Sequence, residues 1–220
     1  MGAQYGPGIN PPPPSSQWVD TISTFTGSQR LLHRREGTGL NARSRAGSGT
    51  NPSNKLAFQG TSIPMEEQTI SGTVKGIFYG YEPNDTDEYM PQLVARVVSY
   101  DGQVVRGTLY DAENQAITNE FNVATRQNRK FPRNWAGSGD TLTPVTALVG
   151  DRLVLEIGYR QASTSVASAV LSFGETLTAL DAAEDETTTH GDNDENCWIE
   201  FSYDFRWYPI LAGRRAGTRF

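Results

Sequence analysis

Glycine and proline interrupt this chain so often that no long helix fits between them. Its 220 residues include 22 glycines and 12 prolines. The runs they separate are short, β-branched and aromatic, and none sustains the 3.6-residue apolar period of a helix. A chain punctuated in this way must fold as short strands joined by turns. Its length suffices to bury one self-sufficient core, so a single β domain is expected.

The strand pattern is plainest in the closing stretch CWIEFSYDFRWYP, residues 197–209. In an extended chain alternate residues share a face, which sets Ile199, Phe201, Tyr203, Phe205 and Trp207 against Trp198, Glu200, Ser202, Asp204, Arg206 and Tyr208. The first row is apolar and is expected to face a core. The same alternation puts Leu153, Leu155, Ile157 and Tyr159 on one face, with Arg152, Val154, Glu156 and Arg160 on a solvated one. Residues 93–111 read as a hairpin turning at Asp101-Gly102, a dipeptide suited to a tight primed turn. Further strands are expected at 29–34, 55–59, 70–80 and 165–173, with Phe121 and Phe131 as core anchors in the polar middle of the chain. About eight strands with short turns favour an antiparallel β-sandwich, specifically a jelly roll, over a parallel α/β sheet.

Domain limits follow from composition. Residues 1–16 carry four consecutive prolines, which favour polyproline II and supply no ladder donors, so they read as an extended N-terminal arm. The sandwich is expected over 17–210, with an arginine-rich loop segment at 30–45, and 211–220 form a C-terminal tail. The N-terminal stretch lacks the basic region and apolar block of a secretory leader, so export by that route is not expected. No run approaches the about 20 apolar residues of a membrane-spanning helix, and no membrane partner is expected.

Net charge is −6, which opposes general affinity for nucleic acid. The charge is unevenly placed. Residues 30–45 hold five arginines (Arg30, Arg34, Arg35, Arg43, Arg45) against one acid, and residues 181–195 hold seven acids and no Lys or Arg. These arginines are the candidate subunit contacts, since guanidinium groups suit carboxylates on a neighbour. The plainer reading is two solvated loops of opposite sign.

Catalytic patterns are missing from the sequence. His33 and His190 lie in polar segments without a recognisable nucleophile, and no GxSxG elbow or GxxxxGK[ST] phosphate loop occurs. One cysteine, Cys197, excludes an internal disulfide, and no histidine spacing resembles a zinc site. Glu156 and Glu200 are the two strand carboxylates a jelly-roll hydrolase would require, but each reads more simply as the solvated partner of an arginine such as Arg152 or Arg206. Asp192, Asp194 and Asn196 alternate as calcium ligands often do. The EF-hand pattern nevertheless fails at Cys197 and Tyr203, leaving a looser structural calcium site as the only cofactor this loop suggests. No catalytic residue or metal centre is expected, and the protein reads as a non-enzyme.

From Gln68 onward, the stretches QTISGTVKG, RVVSYDGQVVRGTLY, GDRLVLEIGYR and ETTT…WIEFS resemble a family of uncharacterised β-sandwich virion proteins of tailed phages and prophages, similar in outline to carbohydrate-binding modules. The resemblance implies a virion location and other virion proteins as partners. Two functions follow as expectations. One is a structural role as a head decoration (cement) or tail-associated component, oligomeric, with its arms laid on neighbouring subunits. The other is adhesion to host-surface glycans, with Trp135, Trp198 and Tyr208 as the aromatic side chains that would stack on sugar rings.

Overall fold

The computed structural model describes residues 11–21, 28–31, 41–46, 53–84, 86–111, 120–121, 127–132, 139–164, 166–173 and 198–208. All regular structure among them is strand. In chain order the elements are β1 (Ser28–Leu31), β2 (Asn41–Ala46), β3 (Ser53–Thr61), β4 (Gln68–Ile70), β5 (Thr73–Tyr81), β6 (Tyr89–Val98), β7 (Val105–Asp111), β8 (Gln127–Phe131), β9 (Asp140–Thr141), β10 (Val145–Ala147), β11 (Arg152–Gln161), β12 (Ser168–Phe173) and β13 (Trp198–Phe201). A five-stranded sheet has the order β1-β3-β11-β6-β7, and a six-stranded sheet is built around β5. In the second sheet β5 is flanked along one edge by β9 and β8 and along the other by β13 and β12, with β2 beyond β12. Each pair in these sheets is antiparallel except β1–β3.

The two sheets form a sandwich around one apolar cluster. Leu93, Ala95 and Val97 of β6 and Leu153, Leu155, Ile157 and Tyr159 of β11 meet Val74 and Phe78 of β5 and Ala169 and Leu171 of β12. Edge-to-face aromatic pairs knit this core, Phe78–Phe131 at 5.3 Å, Tyr110–Phe131 at 5.4 Å and Tyr89–Tyr159 at 4.7 Å between ring centroids. The two phenylalanines expected as anchors, Phe121 and Phe131, are wholly buried.

Several sequence expectations change. The apolar row of β11 faces the core as anticipated, but its opposite row is not solvated. Arg152, Val154 and Glu156 are buried as well, and every residue of β6 is buried. The middle of the five-stranded sheet, β6 and β11, is therefore covered on both faces, a condition usual for the central strands of α/β sheets. The hairpin between β6 and β7 forms, but not with a two-residue primed turn. Gly102 has φ +76° while Asp101 does not enter the left-handed region. The chain instead turns over Ser99–Gly102, with the Gly102 amide donating to the Ser99 carbonyl at 2.8 Å and the Ser99 amide donating to the Val104 carbonyl at 2.8 Å. Gly102 takes the left-handed position that closes this turn, and four residues, 100–103, separate the bonded Ser99 and Val104.

The segment expected as an arginine-rich loop holds β1 and β2, which belong to different sheets. At the other end of the chain, the row Ile199, Phe201, Tyr203, Phe205 and Trp207 does pack against the core, though each side chain is only half buried. Regular pairing stops at Phe201. Beyond it the chain bends and runs beside Pro64–Gln68, where both ends of the Gln68 amide bond the Arg206 backbone (Nε2 to O at 2.8 Å, Arg206 N to Oε1 at 2.9 Å), imitating a ladder. Phe205 stacks on Trp207 at 5.3 Å and meets Phe201 edge-on at 5.4 Å, so the aromatic row persists through the bend.

Candidate interaction site

Residues 11–21, the described part of the N-terminal arm and its continuation past residue 16, lie against the sandwich. Pro12, Trp18 and Asp20 are buried, and they lie on the outer face of the five-stranded sheet, the face turned away from the main core. Three adjacent strands present a polar clamp there, Gln59 from β3, Glu156 from β11 and Arg96 from β6. Gln59 and Glu156 are direct register partners, and Arg96 pairs with Val154, one step along the same face.

Glu156 sits at the centre with no exposed surface. Its carboxylate accepts from Arg96 Nη2 at 2.5 Å, Gln59 Nε2 at 3.0 Å, the Trp18 indole N–H at 2.9 Å and the Ser15 backbone N–H at 3.1 Å. The clamp also reads the proline run directly, since Gln59 Nε2 donates to Pro12 O at 2.9 Å and Arg96 Nη2 donates to Pro13 O. A buried anion is tolerable only when paired and hydrogen-bonded, and both conditions are met here, half of the donors coming from the arm. Beside the clamp, Trp18 joins Leu56 and Val94 in a second small apolar cluster. Its ring lies over Gly158, where an added Cβ would come within 2.7 Å of Trp18 Cζ3. Glycine is required at this close approach. The arm then continues along β3, with Val19 N donating to Asn54 O and Leu56 N donating to the Asp20 carboxylate, both at 2.9 Å.

A second feature lies at one end of the sandwich. Of the large apolar side chains left exposed, five fall on two abutting turns: Tyr100, Val104, Val105, Leu148 and Val149, each 45–61 % exposed. Arg106 grips Asp151 with two bonds (Nε to Oδ2 3.0 Å, Nη2 to Oδ1 3.3 Å), and Asp151 in turn accepts from Leu148 N at 2.8 Å. Arg152 donates to the Tyr100 carbonyl at 3.2 Å and lies 4.7 Å from the centre of its ring. What projects is a cluster of apolar side chains, with the exposed Asp101 and Gln103 between Tyr100 and Val104.

The residues singled out from sequence are dispersed. Glu156 and Glu200 do not form a pair. Glu156 belongs to the five-stranded sheet and is bridged to Arg96 rather than Arg152 or Arg206, while Glu200 lies on β13 of the other sheet, 3.8 Å from Lys75. Arg206 donates to the Glu67 carbonyl at 2.7 Å, and Arg152 is taken by the carbonyls of Tyr100 and Ser62. Arg30 sits in β1 opposite Gly60, and Arg43 and Arg45 sit in β2 opposite Leu171 and Ala169, so the arginines divide between two sheets rather than sharing one loop. Trp198 is half buried beside Ile77 of β5, and Tyr208 is 47 % exposed with its amide bonded to Pro64 O at 2.9 Å, which assigns them to different neighbourhoods. Arg34, Arg35, Trp135 and the acidic loop with Asp192, Asp194 and Asn196 fall outside the described residues. Among the described residues no helix is long and apolar enough to cross a membrane and no group of three metal-ligating side chains gathers.

The clamp escaped the sequence reading because its members are far apart in the chain and individually ordinary. One signal was available: a glutamate and a glycine at alternate positions of β11, both on its supposed solvent row, ask what approaches that face.

No known protein-family model matches this chain, and no characterised protein matches its sequence. Two solved structures of a CocE/NonD family hydrolase from Staphylococcus aureus show a distant likeness, each at 9 % identity. One match has a TM-score of 0.40 and covers 66 % of this chain and 32 % of the hydrolase; the other has a TM-score of 0.36 and covers 77 % and 34 %. The chain thus spans about a third of the hydrolase's length.

Proposed function

We propose that this chain is a non-enzymatic structural protein of a tailed-phage virion, a head decoration (cement) or tail-associated component that binds neighbouring virion subunits. The observation that carries the assembly role is the apolar tip formed by Tyr100, Val104, Val105, Leu148 and Val149. Exposed apolar side chains gathered at one end of a sandwich are a form a protein contact takes before its partner arrives. The virion setting rests on the sequence resemblance, whose stretches fall on β4, β5, β6, β7, β11 and β13, the framework of the sandwich; jelly-roll wiring belongs to the same reading. Glu156, the carboxylate that hydrolytic chemistry would have needed, is occupied by four donors, which favours a structural role for it.

The experiment is co-sedimentation of the purified chain with particles prepared without it, using wild type and a Tyr100→Ser/Val149→Asp variant. Both sites are exposed, so the variant should remain folded while its particle binding falls by tenfold or more, on the order expected for charging the centre of a contact. Undiminished binding by the variant would remove the tip from the account. The second reading, glycan adhesion, is favoured by the exposed Tyr208 ring, and saturable binding on a glycan array that disappears with Tyr208→Ala would replace the first.

A further inference from the structure

We propose that Gln59, Arg96 and Glu156 form a recognition site for a proline-rich segment ending in tryptophan, and that this site accepts residues 12–18 of a second copy of the chain, so that copies are joined by exchanged arms. The proposal deepens the assembly reading above and rests on it.

The clamp reads features that identify such a segment and little else. Its contacts go to Pro12 O, Pro13 O, Ser15 N–H and the Trp18 indole N–H. Proline supplies carbonyls that no neighbouring N–H in the run competes for, and its fixed backbone leaves little freedom to lose on binding. The first N–H after the run, at Ser15, meets the carboxylate. A tryptophan three residues later then drops onto Gly158, between Leu56 and Val94. Spacing is enforced by a turn in which Trp18 N donates to Ser15 O at 3.1 Å.

An unoccupied clamp is unfavourable. Without an arm, Glu156 retains only Arg96 and Gln59 as donors, and an apolar patch around Val94 and Leu56 is opened to water. Every clamp is therefore driven to hold an arm, but nothing in the contacts distinguishes its own from another copy's. Exchange of an identical element conserves all contacts, so local concentration decides between the two arrangements. Residues 21–27 join the arm to β1, a span of at most about 25 Å when fully extended. Exchange therefore requires copies in direct contact, as in a lattice of adjacent subunits.

The test uses the full chain with Trp18→Ala, which disables its arm and leaves the clamp intact, and a fluorescein-labelled peptide of residues 9–20. The expected result is saturable binding of the peptide to this variant, and binding weaker by on the order of tenfold for the same peptide carrying Trp18→Ala, as loss of one buried aromatic anchor implies. Mixing the Trp18→Ala chain with a full chain carrying Gln59→Leu and Arg96→Met, whose arm is intact, should yield a one-to-one heterodimer in sedimentation velocity that neither forms alone. Absence of saturable peptide binding, or equal binding of both peptides, would overturn the recognition site. Peptide binding without the heterodimer would overturn the exchange. Should the clamp-disabled chain not fold, as judged by circular dichroism, chemical cross-linking of wild type between arm and clamp, read as intermolecular or intramolecular by isotope-mixed mass spectrometry, decides the exchange. None of these readouts depends on particle binding, so failure here and failure of the virion reading are separable.

Discussion

Removing Arg96 should damage this protein more than removing Arg96 together with the charge it serves. The Arg96 and Glu156 side chains are 5 % and 0 % exposed and lie 2.5 Å apart. Deleting one member of a buried ion pair costs about 3–5 kcal/mol, because the other charge is left uncompensated in a poorly polarisable setting. Arg96→Met keeps most of the side-chain volume and should fall in that range. For a domain of 150–250 residues each kcal/mol moves Tm by about 2–4 °C, so a drop of roughly 6–20 °C is expected. Glu156→Gln leaves Arg96 charged but still bonded to the Pro13 carbonyl and facing an amide oxygen, so it should cost less, about 1–2 kcal/mol. The double variant has neither charge, so it should be more stable than Arg96→Met alone, with a coupling energy of about 2–3 kcal/mol. Urea unfolding followed by near-ultraviolet circular dichroism measures all four corners of the cycle. Additive losses, or Arg96→Met costing under about 1 kcal/mol, would refute the claim that the pair is a buried electrostatic unit.

Three further outcomes follow from the geometry. Gly158→Ala should destabilise by about 1–3 kcal/mol or more, since its Cβ would lie 2.0 Å from Lys55 O and 2.7 Å from Trp18; denaturant melts would show this, with faster hydrogen exchange at the Leu56 amide. Tyr110 is held neutral by burial and then by its bond to Asp140 at 2.6 Å, so its pKa is raised above the usual 10.0. A raised value means its contribution is complete below pH 10 and is lost as pH rises beyond, so ultraviolet titration of Tyr110→Phe should show one fewer late-ionising tyrosine than wild type. Ser172 is wholly buried and its hydroxyl lacks a hydrogen-bond partner among the described residues; Ser172→Ala should be neutral or stabilising by up to about 1 kcal/mol in thermal melts.

The antiparallel sandwich was legible because its evidence is local. Alternation in 153–159 and 199–207 locates a core face without knowledge of any partner strand, and Asp101-Gly102 marks a reversal whatever its turn type. The thirteen strands among the described residues exceed the eight expected because several, such as β4, β9 and β10, have only two or three residues and exist only through their partners. β2 was hidden in a glycine- and serine-rich stretch for a similar reason: its sequence NARSRA has little strand preference, and its pairing with β12 is a tertiary effect. The outer row of β11 misled because a polar residue in alternation normally means solvent. Here Glu156 is polar because a proline run and an indole N–H are what covers it. A sequence records the polarity of a site but not the identity of what lies over it.

The central claim is that this chain belongs to a particle, and the composition of the particle tests it most directly. Quantitative mass spectrometry of gradient-purified particles, washed in high salt to remove adventitious protein, should find the chain in a fixed multi-copy ratio to the major shell or tail protein. Absence from washed particles, or a ratio that varies from one preparation to the next, would contradict the account.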